Sequence, residues 1–130
     1  MVRSLLAVVL GYVVMLVAYR GGDIILTALQ PEFAPDAAYF VFLLGTGFFF
    51  MIAGGYVTAL LAGRSEMKHA LSLGALSIAM SILERIFFAA DQPLWYTVAL
   101  MFLSIPSALV GGYFRLRQVE SERSRPAAAE

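Results

Sequence analysis

The chain has 130 residues, of which 61% are hydrophobic and 14% charged, and its mean hydropathy is +0.83. Soluble domains are about 45–50% apolar and about 25% charged, so this composition excludes an ordinary soluble enzyme and a disordered tail. A formal net charge of zero gives no attraction to nucleic acid, and the lack of cysteine together with a single histidine excludes disulfides, zinc modules and multi-histidine metal sites.

Four apolar stretches are long enough to cross a bilayer core, which needs about 20 residues per helix. In chain order they cover about 4–29, 37–62, 69–90 and 94–114. The sequence therefore predicts an all-α fold, a polytopic transmembrane four-helix bundle with short loops. Residues 1–117 form the four-span transmembrane domain in this prediction, and residues 118–130 form a polar cytoplasmic tail.

The basic residues predict how the spans are oriented. Because cytoplasmic connections carry an excess of Lys and Arg, the basic side of a four-span arrangement is expected inside the cell. That side holds Arg3, Arg64, Lys68, Arg115, Arg117, Arg123 and Arg125, and the connections on the other side hold none. Both termini are predicted to be cytoplasmic (N-in/C-in), in a bacterial-type inner membrane. The aromatic residues at the outer boundary are expected to be interfacial anchors, with a ligand-binding aromatic box as the alternative: Tyr39, Phe40, Trp95 and Tyr96.

Each predicted helix carries a stripe of small residues, the pattern that lets membrane helices approach closely. The residues predicted to pack in this way are Gly55, Ala59, Gly63, Gly74, Ser77, Ser81, Ser104, Ala108 and Gly112. Such stripes fit packing within one bundle. They also fit association with a second copy of the chain or with a larger membrane protein complex.

Four ionisable residues lie inside the predicted spans: Arg20, Asp23, Glu84 and Arg85. A charge at the centre of a membrane helix costs about 2.5–3.5 kcal/mol on insertion scales, so such residues rarely lack a role. At about 1.5 Å per residue, the first and third helices bring all four to one level in the outer third of the membrane. Arg20 can pair with Asp23 or with Glu84, and Asp23 can pair with Arg85. The neutrality of this charge cluster favours a structural ion-pair network, and a substrate- or ion-binding site is the alternative.

No catalytic motif accompanies these features. The serines have no nearby histidine or lysine base, and there is no phosphate-binding loop. The sequence therefore predicts a small non-enzymatic membrane protein without cofactor, an accessory, assembly or scaffold component that packs on itself or on a larger complex. The alternative is a small homo-oligomeric transporter or channel that uses the charge cluster. A Glu84→Gln change distinguishes them, because it impairs folding in the first case and transport or binding in the second.

Overall fold

The computed structural model describes residues 2–29, 36–87 and 92–124, and the regular structure in these ranges is helical. The helices in chain order are α1 (Val2–Leu29), α2 (Ala37–Ala62), α3 (Glu66–Phe87) and α4 (Leu94–Ser124). Each is long and apolar enough to cross a membrane. The prediction of an all-helical chain with four membrane-span-like helices is therefore confirmed.

The fourth helix differs most from its predicted bounds. Its apolar stretch ends at Phe114, but α4 continues to Ser124, so the start of the predicted polar tail is helical. Residues 115–124 contain neither glycine nor proline, and most of them are good helix formers. The hydroxyl of Tyr56 on α2 donates to Oε1 of Gln118 at 2.7 Å, which ties this extension to the bundle. The predicted connection at 30–35, the predicted end of α3 at 88–90 and the last residues 125–130 lie outside the described residues.

Local signals fix both ends of α2. Asp36 precedes the helix, and its Oδ1 accepts a hydrogen bond of 3.0 Å from the backbone N–H of Tyr39, as an N-cap residue does. Gly63 ends the helix with φ 66°, a left-handed conformation that glycine adopts without penalty, and its N–H donates to the carbonyl of Ala59 at 3.2 Å. Because α3 begins at Glu66, three residues reverse the chain and make α2 and α3 antiparallel neighbours.

The second helix is the centre of the bundle. It packs against the other three helices, while α4 also packs on α3, and α1 also packs on α3. Within the described ranges, no Cα atom of α1 comes within 8 Å of one in α4. Arg3 on α1 donates from Nε to the carbonyl of Leu61 at 3.1 Å, so the start of α1 lies beside the end of α2. We call this end of the bundle, which also holds the start of α3 and the end of α4, the basal end, and the opposite one the distal end.

Glycines allow the helix backbones to touch in the basal half. A Cβ atom on Gly55 would collide with the carbonyl of Ala108, and one on Gly111 with the carbonyl of Ile52, which makes α2 and α4 the tightest pair. Gly11 on α1 meets the side chain of Thr58 on α2 in the same way. We call these places, together with the α3–α4 contacts below, the glycine crossings.

Two further crossings join α3 to α4. A Cβ atom on Gly74 would lie 2.9 Å from the Cα of Ile105, and one on Gly112 would lie 2.6 Å from the Cβ of Ala70. Because real Cβ atoms almost never come so close to their neighbours, a larger residue at either position forces the two helices apart.

The remaining residues of the predicted stripes have different surroundings. Ala59, Ser77 and Ser104 are buried between helices. Ser81 is half-buried and faces a cavity. Gly63 is exposed and forms the end of α2, so its glycine serves chain reversal instead of helix packing.

The outer surface of the bundle is apolar on every helix. Large side chains are 65% to 78% exposed at Val17 and Ile24 on α1, Phe49 on α2, Ile86 on α3 and Phe102 on α4. Soluble monomers rarely expose apolar patches of this extent, because water penalises them. The surface is suited to lipid, in agreement with the length and hydropathy of the helices.

Candidate functional site

A cavity of about 420 Å³ lies between the four helices, on the distal side of the glycine crossings. Volumes of about 300–1,000 Å³ are typical of sites that hold a small organic molecule. Its basal limit is formed by Tyr12, Met51, Ser77 and Ser104, one residue from each helix. Each of these four lies one to four positions distal to a residue of the glycine crossings, so the cavity begins where the backbones stop touching.

The described parts of α1 and α4 do not meet, which leaves a gap between these two helices. Side chains bridge the gap: the hydroxyl of Tyr19 on α1 shares a hydrogen bond of 2.5 Å with the hydroxyl of Tyr96 on α4. Tyr96 is fully buried, whereas Tyr19 is partly open to the cavity. Gly47 on α2 also lines this space and has no side chain to fill it. A Cβ atom there would lie at ordinary contact distances of 3.6–3.8 Å from Leu100 and Tyr19.

Apolar side chains from three helices form a large part of the cavity wall. Met15 and Leu16 contribute from α1, Leu43 from α2 and Leu100 from α4. Phe40, which is only 7% exposed, packs against Tyr96 with ring centroids 5.2 Å apart. These side chains can hold an apolar body, because its burial gains about 25 cal/mol for each Å² removed from water.

Charged side chains gather at the distal rim. Nη2 of Arg20 on α1 lies 3.6 Å from Oε1 of Glu84 on α3, and the two side chains are 62% and 51% exposed. This is one of the pairings that the sequence permits, and it links two helices that otherwise have limited contact. The pair stands at the edge of the cavity and is not sealed inside the bundle.

Asp23 has a different partner from any that its sequence position suggests. Its Oδ1 accepts a hydrogen bond of 2.7 Å from the hydroxyl of Tyr39 on α2. Among the described residues the structure shows no ion pair for this carboxylate, although Arg20 lies one helical turn before it. A neutral phenol stabilises the carboxylate without cancelling its charge.

Arg85 lies beside the cavity without lining it. Its Nη1 donates to the backbone carbonyl of Gln92 at 2.6 Å, so the guanidinium is directed to the connection between α3 and α4. It lines a small recess of about 20 Å³, which shares Glu84 and Gln92 with the main space. Three of the four predicted cluster residues therefore line the cavity, and the fourth braces the neighbouring connection.

Two tyrosines of the cavity, Tyr12 and Tyr19, were not predicted from the sequence. Tyr12, Tyr19 and Asp23 follow one another at spacings of seven and four, which places them on one face of α1. This periodicity was available as a signal for a polar face. Phe40 and Tyr96 were predicted to be interfacial anchors, and both predictions are wrong. Phe40 is buried, and Tyr96 is fully buried with its hydroxyl bonded to that of Tyr19.

The lining of the cavity is better suited to an organic molecule than to a metal ion. Within the ranges 2–29, 36–87 and 92–124, no group of three or more His, Asp or Glu side chains could hold a metal ion. Apolar walls, phenol hydroxyls and one carboxylate without an ionic partner among the described residues instead fit an organic molecule with a polar end.

The chain matches no protein-family model, no curated protein and no solved structure. The geometry of the cavity is therefore the basis on which a function can be proposed.

Proposed function

We propose that the protein is a small four-span membrane protein that binds an amphipathic organic molecule in its distal cavity and acts as a carrier for it. The observation that supports this function is the cavity itself. Its volume of about 420 Å³, its apolar walls and its charged rim match a ligand with an apolar body and one polar end. This proposal favours the transporter alternative over the accessory-component prediction.

The proposal includes an orientation in a bacterial-type inner membrane with both termini cytoplasmic. It is supported by the basic residues, because the described ones outside the cavity region gather at the basal end: Arg3, Arg64, Lys68, Arg115, Arg117 and Arg123. Cytoplasmic segments carry such an excess. In this orientation the cavity lies in the outer half of the bilayer.

The glycine crossings explain why the small-residue stripes lend little support to an accessory role. Gly55, Gly74 and Gly112 each touch another helix of the same chain, so these faces are already covered. A second protein cannot use them unless the bundle comes apart.

An accessory role is the second candidate because of α1. Within the described ranges this helix packs only on α2 and α3. It is the least covered of the four, because only 11% of its most apolar 18-residue segment is buried. Native mass spectrometry of protein extracted in mild detergent tests this candidate. A defined complex with another protein supports it, a complex of identical chains favours the carrier, and a lone monomer supports neither.

No chemical step belongs to the proposed function. The serine hydroxyls nearest the cavity on α4 are engaged with their own helix: Ser104 donates to the carbonyl of Leu100 at 2.7 Å, and Ser107 donates to that of Leu103. Among the described residues these hydroxyls have no adjacent base that would activate them as nucleophiles.

The experiment that tests the proposal fills the cavity. Gly47→Leu places a side chain between Tyr19 and Leu100, while Gly45→Leu, on the same helix, places the same side chain where nothing lies within 4 Å. Both variants and the parent protein are reconstituted in lipid nanodiscs. Equilibrium dialysis then measures the binding of three amphipathic probes of different charge: tetraphenylphosphonium, triphenylphosphine oxide and tetraphenylborate.

We expect saturable binding of at least one probe to the parent protein and to Gly45→Leu, and at least a tenfold loss in Gly47→Leu. The nanodiscs contain the same lipid throughout, so partition of the probes into the bilayer cancels in the comparison. The proposed function is contradicted if each of the three probes binds to Gly47→Leu as tightly as it binds to the parent protein.

A further inference from the structure

We infer that the ligand of the cavity is a monovalent organic cation with an apolar body, such as a substituted ammonium or phosphonium ion. This inference rests on the proposed function and adds the sign of the ligand's charge. It follows from the charges that line the cavity and from the partner that each of them has.

The charged side chains of the cavity do not balance. Among the described residues that line it, one side chain is positive, Arg20, and two are negative, Asp23 and Glu84, which leaves one negative charge. The complete cluster is neutral only when Arg85 is included. Because Arg85 lies outside the lining and donates to the carbonyl of Gln92, it compensates charge beside the cavity instead of within it.

The geometry assigns the remaining negative charge to Asp23. Arg20 is 3.6 Å from Glu84, so these two largely neutralise each other at the rim. The carboxylate of Asp23 accepts only the phenol hydroxyl of Tyr39 in the part of the chain that the structure describes. A carboxylate in a region of low dielectric is costly without an opposite charge, and a bound cation removes that cost.

The aromatic lining favours the same sign. Tyr12, Tyr19, Tyr39 and Phe40 all contribute to the wall of the cavity. The faces of aromatic rings carry partial negative charge, which attracts quaternary ammonium groups. An anion receives no such attraction and meets the carboxylate of Asp23 as well.

The same walls select an organic cation over a metal ion. Na⁺, Mg²⁺ and Ca²⁺ require several oxygen ligands to replace their hydration shell. Below the rim, apolar side chains such as Met15, Leu43 and Leu100 share the lining with hydroxyl groups. Two of these hydroxyls, on Ser77 and Ser104, already donate hydrogen bonds to other atoms of the protein. An organic cation is weakly hydrated and can bury its substituents against the apolar side chains while its charge lies near Asp23.

The first test compares the charge preference of the unmodified cavity. Tetraphenylphosphonium and tetraphenylborate have nearly the same shape and opposite charge, and triphenylphosphine oxide is a neutral relative. Binding in the cavity is the difference between the parent protein and Gly47→Leu in the same nanodiscs. We expect tetraphenylphosphonium to bind at least tenfold more tightly than either of the other probes.

The second test removes the charge of Asp23 and keeps its size. Asp23→Asn retains an oxygen that can accept the hydrogen bond of Tyr39, so a loss of binding reports on charge. The matched control is Asp36→Asn, the same change at the exposed N-cap of α2, where asparagine caps a helix equally well.

We expect Asp23→Asn to bind tetraphenylphosphonium at least tenfold more weakly, with less than a threefold change for triphenylphosphine oxide, and Asp23→Glu to restore part of the loss. Asp36→Asn is expected to bind like the parent protein. If Asp23→Asn does not fold, the charge preference of the parent protein still decides the question.

The outcomes distinguish a wrong ligand charge from a wrong function. Cavity binding of triphenylphosphine oxide or tetraphenylborate that equals or exceeds that of tetraphenylphosphonium overturns the cation inference and leaves the proposed function intact. The cation inference is also overturned if Asp23→Asn binds tetraphenylphosphonium as the parent protein does. Binding of no probe in the cavity overturns both the inference and the proposed function.

Discussion

The hydroxyl of Tyr96 is a polar group in the interior of the bundle. The side chain is 0% exposed, and its hydroxyl has the hydroxyl of Tyr19 as its hydrogen-bond partner. A buried donor or acceptor that loses its partner costs about 1–3 kcal/mol, whereas removal of both partners is nearly neutral. The two tyrosines are therefore not equivalent, because only Tyr19 reaches the cavity, where water can replace a lost bond.

We expect Tyr19→Phe to lower the free energy of unfolding by about 1–3 kcal/mol, since it leaves the Tyr96 hydroxyl buried without a partner. Tyr96→Phe should cost less, and the double variant should cost less than the sum of the two. Thermal unfolding in detergent measures the series, followed by the fluorescence of Trp95, the single tryptophan of the chain, whose ring centroid lies 6.1 Å from that of Tyr96. Equal and additive effects of the two single changes contradict this account.

At the scale of single residues, the sequence predicted some ion-pair and hydrogen-bond partners and not others. The pairing of Arg20 with Glu84 was among its options, because the register of two helices that run in the same direction brings them to one level. The bond between Asp23 and Tyr39 was not predicted. It depends on how far apart α1 and α2 lie at the distal end, and composition and periodicity carry no information on that distance.

The glycine crossings determine how closely the helices approach one another. A methyl group on Gly111 would enter the space of the Ile52 carbonyl and the Tyr56 amide, so α2 and α4 touch through their backbones. Gly21 is the opposite case, because nothing lies within 4 Å of the position that its Cβ would take. Alanine is the better helix former by about 0.5–1 kcal/mol, so the same substitution has opposite signs at the two positions.

We expect Gly111→Ala to lower the free energy of unfolding by about 1–3 kcal/mol, because overpacking forces α2 and α4 apart. Gly21→Ala, the matched control, should leave stability unchanged or raise it by up to about 1 kcal/mol. Thermal unfolding in one detergent compares the two. A similar loss in both variants indicates that helix propensity, and not the crossing, controls stability.

The elements themselves were the most predictable level. Hydropathy predicted α2 to the residue, because Asp36 and Gly63 mark its ends in the sequence as well as in the structure. The end of α4 was predicted ten residues early, at Phe114 in place of Ser124, because hydropathy reports where a span leaves lipid and not where a helix ends. The cavity was not predicted, since it depends on which helices fail to meet.

For the molecule as a whole, the basal end holds most of the basic residues and the distal end holds the cavity. The proposed orientation places the basal end in the cytoplasm and the cavity towards the outside. The chain has no cysteine, so a single introduced thiol reports on its own position without further changes. Ala37 and Ser121 are suitable positions, because both are exposed and they lie at opposite ends of the bundle.

We expect Ala37→Cys to react with a membrane-impermeant maleimide in intact bacterial cells, and Ser121→Cys to react only after the cells are lysed. Both positions are exposed and lie towards helix ends, so neither change should affect folding. The reverse pattern of labelling contradicts the proposed orientation, and labelling of both in intact cells contradicts a single orientation.

The glycine crossings at the basal limit of the cavity have an electrical consequence. At Gly11, Gly55 and Gly74 the helices leave no room for a methyl group, and therefore none for a file of water molecules through these glycine crossings. A bilayer that contains the protein should keep its resistance whether the cavity is empty or filled. A bound molecule can pass between these helices to the basal side only when a glycine crossing opens. Any movement of ligand is therefore limited by that opening, and no membrane potential is lost through ion leak before it.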